Sequence, residues 1–294
     1  MTVRALTEAA SRQAAFRAGD VDVYVADNRM QAEAVKGVSG SSVQRYLSAV
    51  YSVFALNAVK VNAFKDERVR EAIDLALDRA AMIEKLHFGD AELSGPVRPR
   101  WDTALPAQEV AAAYGRDVGK ARQLLSAAGQ DGLTFELSFY TDAGNADRAS
   151  IIKDNLAEIG VTVNLASSEV GTWLANLLAS NFESTAYTHL PYLSDYIQLQ
   201  SHHTYGWNRS PQAFLGIEDA EVDSLLDKVR QTIDDQERKR RALDVQRLIL
   251  KRHGPTLVLC EPYAYWIAYD YLRGYTPTAY GLGNYRYNYW LDKG

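Results

Sequence analysis

The sequence predicts an α/β protein, and three stretches carry that expectation. Residues 133–140 alternate like a strand, 146–159 have helical spacing closed by Gly160, and 161–166 are strand-like again. Strand, helix and strand at this spacing is the pattern of a right-handed crossover between parallel strands. Upstream, Val69, Ala72, Ile73, Ala76 and Leu77 recur at helical intervals with Arg and Glu between them. Downstream, nine of the 18 tyrosines lie between Tyr263 and Tyr289, beside Trp266 and Trp290. Such a composition suits strands and half-buried surfaces and reads as a packed β-rich terminus.

Taken in order, residues 4–18 read as a helix ending at Gly19, and 21–25 alternate like a strand. A Gly/Ser-rich loop (37–42) leads to an extended, aromatic and β-branched stretch over 44–57. Asp66 is a good N-cap for the next helix, expected to run to about Leu86. The glycines and prolines of 89–106 predict a long irregular loop. Asp117 caps a further helix that ends at Gly129. After the crossover come a short helix (171–180), a strand (182–188), an aperiodic stretch (189–216), helices over 218–232 and 235–252, and strand from Pro255 onward.

Composition removes several function classes. The net charge of −5 gives no nucleic-acid footprint, and the basic run Arg238–Arg241, flanked by acids, reads as a solvated helix face. One cysteine, Cys260, excludes an internal disulfide framework. No apolar run reaches the roughly 20 residues of a membrane helix, and residues 1–20 are too polar for a signal peptide. No nucleophile elbow, dinucleotide loop or Walker loop is present: 37–41 lacks the final glycine of the first, and Gly281-Leu-Gly283 opens no helix. Cys260 sits in an apolar strand, where it reads as packing rather than a nucleophile. His202 and His203 are neighbours that point to opposite faces of an extended chain, a poor start for a metal site. No metal, cofactor or catalytic constellation is expected, and the chain reads as a non-enzyme.

A series of motifs adds a resemblance. Leu56-Asn57, Phe64-Lys-Asp-Glu-Arg-Val-Arg-Glu-Ala-Ile73 and Ala76-Leu-Asp-Arg79 occur in order. Gly89-Asp-Ala91, Pro96, Pro99, Asp117, Lys120-Ala121, Leu124-Leu125 and Ala128-Gly129 follow. Asn155-Leu-Ala-Glu-Ile-Gly-Val161, Asp223, Leu225-Leu226, Asp235, Arg238 and Arg273-Gly274 complete the series. Together, over about residues 4–290, they resemble the family 5 (peptide/nickel-type) extracellular solute-binding proteins of ABC transporters. Most are scaffold by physical reading: Asp66 caps, the glycines end helices, and Arg68, Arg70 and Arg79 read as structural ion-pair partners.

The resemblance implies an architecture of two lobes, the periplasmic-binding-protein-like fold (type II, cluster C). On that template one α/β lobe with a mixed sheet is complete and the other is an incomplete portion. Residues 1–57 would belong to the partial first lobe, 58–255 would form the complete lobe, and 256–294 would return to the first. Hinge strands are expected near 52–58 and 257–266. Residues 4–25 resemble a mid-chain segment of the family, so the chain reads as a truncated or shortened relative with no signal sequence of its own.

The implied function is solute capture: a small polar solute, such as an oligopeptide or oligosaccharide, held in a cleft and delivered to ABC permease subunits. The implied location is the periplasm or the cell surface, with membrane association only through the permease or a lipid anchor. A monomer with no nucleic-acid partner is expected. A ligand-sensing module of a transcription regulator stands beside this as an alternative. Peptide binders of the family carry a "GW..DY.DP" run whose first Asp pairs with the peptide amine. Here His189 stands where Trp is usual and Tyr192 where that Asp is usual, with Asp195 three residues on. The expected ligand-binding residues are Tyr187, His189, Tyr192, Asp195, Trp207, Asn208 and Arg209, which combine aromatic faces with hydrogen-bonding heads.

Overall fold

A computed structural model describes residues 6, 8–48, 50–189, 194–202, 215–274 and 290–292. The chain divides into two compact units: Met1–Val50, Ile83–Glu92 and Glu261–Gly294 form one, Tyr51–Met82 and Leu93–Cys260 the other. This division differs from the expected boundaries, because 51–57 and 256–260 fall with the larger unit and 83–92 with the smaller.

The larger unit is built on a mixed sheet. Its strands are β3 (Tyr51–Leu56), β5 (Thr134–Tyr140), β6 (Thr162–Ser168), β7 (Ser184–His189) and the first part, 256–260, of β8 (Thr256–Tyr269). Their order is β8-β3-β7-β5-β6. Strand β5 runs parallel to both β6 and β7, while β3 is antiparallel to β7 and β8. The expected crossover is present, with α7 (Ala143–Ala157) joining β5 to β6. Gly160 takes φ +82 at the turn after α7, a conformation glycine adopts without strain.

Apolar residues on both sheet faces are covered. Phe135, Leu137, Ile152 and Leu156 are fully or almost fully buried, and the rings of Phe64 and Phe135 meet edge to face at 5.0 Å. Tyr51, Val53, Ala55, Phe182, Tyr187 and Val258 pack against Trp173 and Leu177 of α8 (Val170–Leu178). Helices α10 (Ala220–Gln231) and α11 (Asp235–Lys251) bury Val222, Leu226, Val229, Ala242, Val245 and Ile249 against one another and against Leu199 of α9 (Asp195–Gln200).

Capping decides where several helices start. Asp66 accepts from Arg68 N at the head of α3 (Glu67–Ala76), and Asp117 from Lys120 N at the head of α6 (Val118–Ala127), both as expected. The helix expected to reach Leu86 is instead broken. Leu77 is extended (ψ 119), and Asp78 accepts from Ala81 N to start α4 (Arg79–His87). Within 89–106 only Ala91–Glu92 (β4) is regular. A helix the periodicity missed, α5 (Ala107–Ala113), follows Pro106 and buries Val110.

Of the three arginines read as ion-pair partners, Arg68 meets Asp66 at 2.6 Å and Arg79 meets buried Asp74. Arg70 differs. Its guanidinium donates to the carbonyls of Phe64, Lys65, Arg252 and His253, so it ties α3 to the chain before β8.

In the smaller unit, residues 261–269 of β8 pair on one side with β1 (Val23–Ala26) and on the other with β2 (Ser41–Leu47). Helices α1 (Ala9–Arg17) and α2 (Arg29–Glu33) complete a core of Phe16, Tyr24, Ala32, Val35, Tyr265 and Ile267. The described late tyrosines are structural. Tyr269 stacks on Phe16 at 4.8 Å, Tyr271 donates to Asp22, and Tyr265 bonds to Asp90. Arg45 lies 3.3 Å over the Tyr263 ring and also grips Asp90. A short pair, β9 (Leu272–Arg273) with β10 (Trp290–Leu291), ends the described chain.

Candidate functional site

In an open α/β sheet, ligands are taken at the carboxyl ends of the parallel strands, where loops and helix N-termini converge. In the larger unit those ends are Tyr140 of β5, Ser168 of β6 and Thr188-His189 of β7. The antiparallel neighbour β3 brings Tyr51 to the same edge, opposite His189.

Five rings line up there. Tyr140 lies 5.0 Å from Trp173, Trp173 5.4 Å from Tyr187, Tyr187 5.8 Å from His189, and His189 5.2 Å from Tyr51 in a stacked pair. The period of a strand explains the file: Tyr187 and His189 are two apart and share a face, and Tyr51 and Val53 face them across the register. Trp173 is held by its indole N–H, which donates to Thr185 Oγ1 at 3.0 Å. Tyr187 and Tyr51 are buried within this core, whereas Tyr140 and His189 are half-buried.

Polar groups surround the file. Arg98 is fully buried; its Nε donates to Gln198 Oε1 at 3.1 Å, and Gln198 donates to the Pro96 carbonyl. Burial pushes the pKa of His202 down to about 4, with His189 nearby adding to the shift, so His202 is neutral at physiological pH. Arg148 of α7 reaches Asn145 on its own helix and Thr188 on β7.

Among the expected ligand residues, Tyr187 and His189 come together. Asp195 stands apart in role: it is 6 % exposed in the first turn of α9, where Thr103 donates to Oδ2 and Tyr196 N to Oδ1. Tyr192, Trp207, Asn208 and Arg209 lie outside the described residues. Sequence reasoning missed Tyr51, Tyr140, Trp173 and Arg148. Tyr140 and Arg148 had a usable signal, since one ends a strand and the other sits on the second turn of the helix that follows. Tyr51 did not, because its place depends on pairing with His189, more than 100 residues on, and Trp173 did not, because its place depends on how α8 lies over the sheet.

The described residues contain no group of three or more His, Cys, Asp or Glu able to hold a metal, and no helix long and apolar enough to cross a membrane. Cys260 is buried.

Solved structures share this arrangement of elements. AppA from Bacillus subtilis, solved with a nonapeptide, superposes with a TM-score of 0.80 at 20% identity, over 98% of this chain and 59% of that one. DppA from Helicobacter pylori, solved with the peptide STSA, gives 0.78 at 22% identity, over 99% and 56%. AgaA from A. tumefaciens R10, solved with agropinic acid, gives 0.78 at 22%, over 92% and 55%. The fold is therefore that of a periplasmic binding protein.

Sequence places the chain more narrowly. The family model for bacterial extracellular solute-binding proteins, family 5 (middle), matches residues 1–209, and the chain belongs to that family. Its members are binding proteins. The oligopeptide-binding protein AppA of B. subtilis is 24% identical over 198 residues, covering 60% of this chain and 34% of the relative. The sequence match thus spans about a third of that curated relative, and the structural match 59% of it.

Proposed function

We propose that this chain is part of the solute-capturing component of an ABC importer, acting at the periplasmic or extracellular face of the membrane. Binding is noncovalent, and the protein is a receptor rather than an enzyme. The observation that carries this reading is the file of five rings at the carboxyl edge of the sheet, in a chain of family 5. Aromatic faces flanked by hydrogen-bonding heads bind polar solutes through stacking and planar contacts, with little side-chain entropy to lose.

Within this reading His189 and Tyr140 meet the solute, and Tyr187, Trp173 and Tyr51 back them. Tyr192, Trp207, Asn208 and Arg209 complete the set, while Asp195 holds α9 to Thr103. The relatives AppA and DppA were solved with peptides, and AgaA with agropinic acid. Tyr192 stands where the carboxylate for a peptide amine is usual, and that of Asp195 is already engaged by Thr103. Release of the solute to permease subunits, action as a monomer, and the division into a complete lobe (58–255) and a partial one belong to the same proposal.

Native mass spectrometry of the natural full-length protein, purified without denaturation, tests it. A bound small solute, lost in His189→Ala, is the expected result. A protein that retains nothing and binds no member of a peptide and sugar panel overturns the reading.

A further inference from the structure

Arg148 is the most unusual charge in the larger unit. It is 6 % exposed, yet no carboxylate lies within ion-pairing distance among the described residues. Its Nη1 donates to Asn145 Oδ1, its Nη2 reaches Thr188 Oγ1 at 3.4 Å, and its Nε–H has no partner at all. A buried unpaired guanidinium is costly, and proteins keep such a group where a partner arrives later.

A second orphan lies on the same side of the sheet. The Ser52 hydroxyl is 1 % exposed and unpartnered. Ser52 is the register partner of Thr188, the residue that accepts from Arg148. Two unsatisfied donors therefore flank one threonine at the carboxyl edge of β7, beside half-buried His189. Burial also draws the Arg148 pKa below its ordinary value, outweighing Cys260, Tyr140 and Asp142, which oppose the shift.

Asp142 and Asn145 orient the group. Asp142 caps α7 through the Asn145 N–H at 2.6 Å and also accepts from the Asn145 amide at 2.8 Å, which turns the Asn145 carbonyl toward Arg148. The guanidinium is thus positioned before any ligand arrives.

We propose that Arg148 is the anchor for a carboxylate of the captured solute, with Ser52 and Thr188 as supporting hydroxyls. The solute class is then a small organic acid, or a peptide held by its carboxyl rather than its amino end. This rests on the capture reading above.

The test uses the 294-residue chain and two probes, N-acetylalanine and its neutral amide, at millimolar concentrations. The Arg148 Nε–H resonance, assigned by its absence in Arg148→Lys, is followed by ¹H–¹⁵N spectroscopy alongside the thermal midpoint. The acid moves the resonance and raises the midpoint; the amide binds about tenfold more weakly or worse, the loss expected for a charge-assisted pair of bonds. Arg148→Met removes an uncompensated charge, so it folds with an equal or higher midpoint without probe and loses the preference for the acid. Equal responses to acid and amide, no response to either, or an Arg148→Met protein that melts lower yet still prefers the acid each overturn the proposal. A captured neutral solute in the mass spectrum, with an inert Arg148 signal, overturns this proposal and leaves solute capture standing.

Discussion

Replacing Asn57 by alanine tests how the β3 strand is locked to the sheet. Asn57 is wholly buried at the end of β3. Its Nδ2 donates to the Ser180 and Phe182 carbonyls at 3.1 and 2.9 Å, and its Oδ1 accepts from Val59 N at 3.0 Å. One amide thus ties β3 to the turn between α8 and β7, where Ser180 holds φ +52. Alanine removes all three bonds. The Phe182 carbonyl is then orphaned in the interior, at about 2–3 kcal/mol, whereas the part-buried Ser180 carbonyl and Val59 N–H cost about 1 kcal/mol or less each. The sum is about 3–5 kcal/mol. Urea unfolding followed by far-ultraviolet circular dichroism reads it as a lower midpoint with an unchanged slope. Asn57→Asp keeps the acceptor but turns a carboxylate toward two carbonyls, so it is no milder than alanine at neutral pH. A loss below about 1 kcal/mol for Asn57→Ala refutes the reasoning, since it equals one ordinary hydrogen bond.

Other outcomes follow from the same packing. Burial raises the Asp74 pKa, but Arg79 and His253 outweigh it and hold the carboxyl below its ordinary range. A depressed folded-state value adds stability above the unfolded pKa of about 4, and that stability is lost as pH falls through the folded value. The advantage of wild type over Asp74→Asn, measured by urea unfolding from neutral to acid pH, therefore shrinks once the pH falls below about 4. Gly216 has φ +76, and a Cβ there sits 2.7 Å from Val59 Cγ2 and 2.9 Å from Val59 N. Gly216→Ala lowers stability by at least about 2 kcal/mol. Gly129→Ala, at φ +66 with nothing within 4 Å, loses only the conformational cost of about 1–2 kcal/mol; equal losses in thermal melts discredit the steric argument.

Local rules in the sequence settled much of the fold. Asp66 and Asp117 cap as read, and the βαβ unit is where the alternation and the helical spacing put it. The helix break at Leu77–Asp78 was missed because the apolar spacing continues across it, while the Asp78 side chain starts a new helix. Helix α9 was missed because six residues are too few for a period to register. The scaffold motifs were enough to place the chain in its family.

The site was less legible. Tyr187 and His189 were read from position, but the depth of Tyr187 was not, since burial depends on what α8 lays over the strand. Asp195 looked available to a ligand until Thr103, 92 residues away, was found bonded to it.

By itself, the sequence determined the α/β class, most caps and strands, and the lineage, because these rest on spacings and short-range hydrogen bonds that a linear pattern records. The tertiary structure alone decided which rings form a file and which buried charge lacks a partner. Those properties depend on strands and helices distant in sequence closing on one another, so no local pattern contains them.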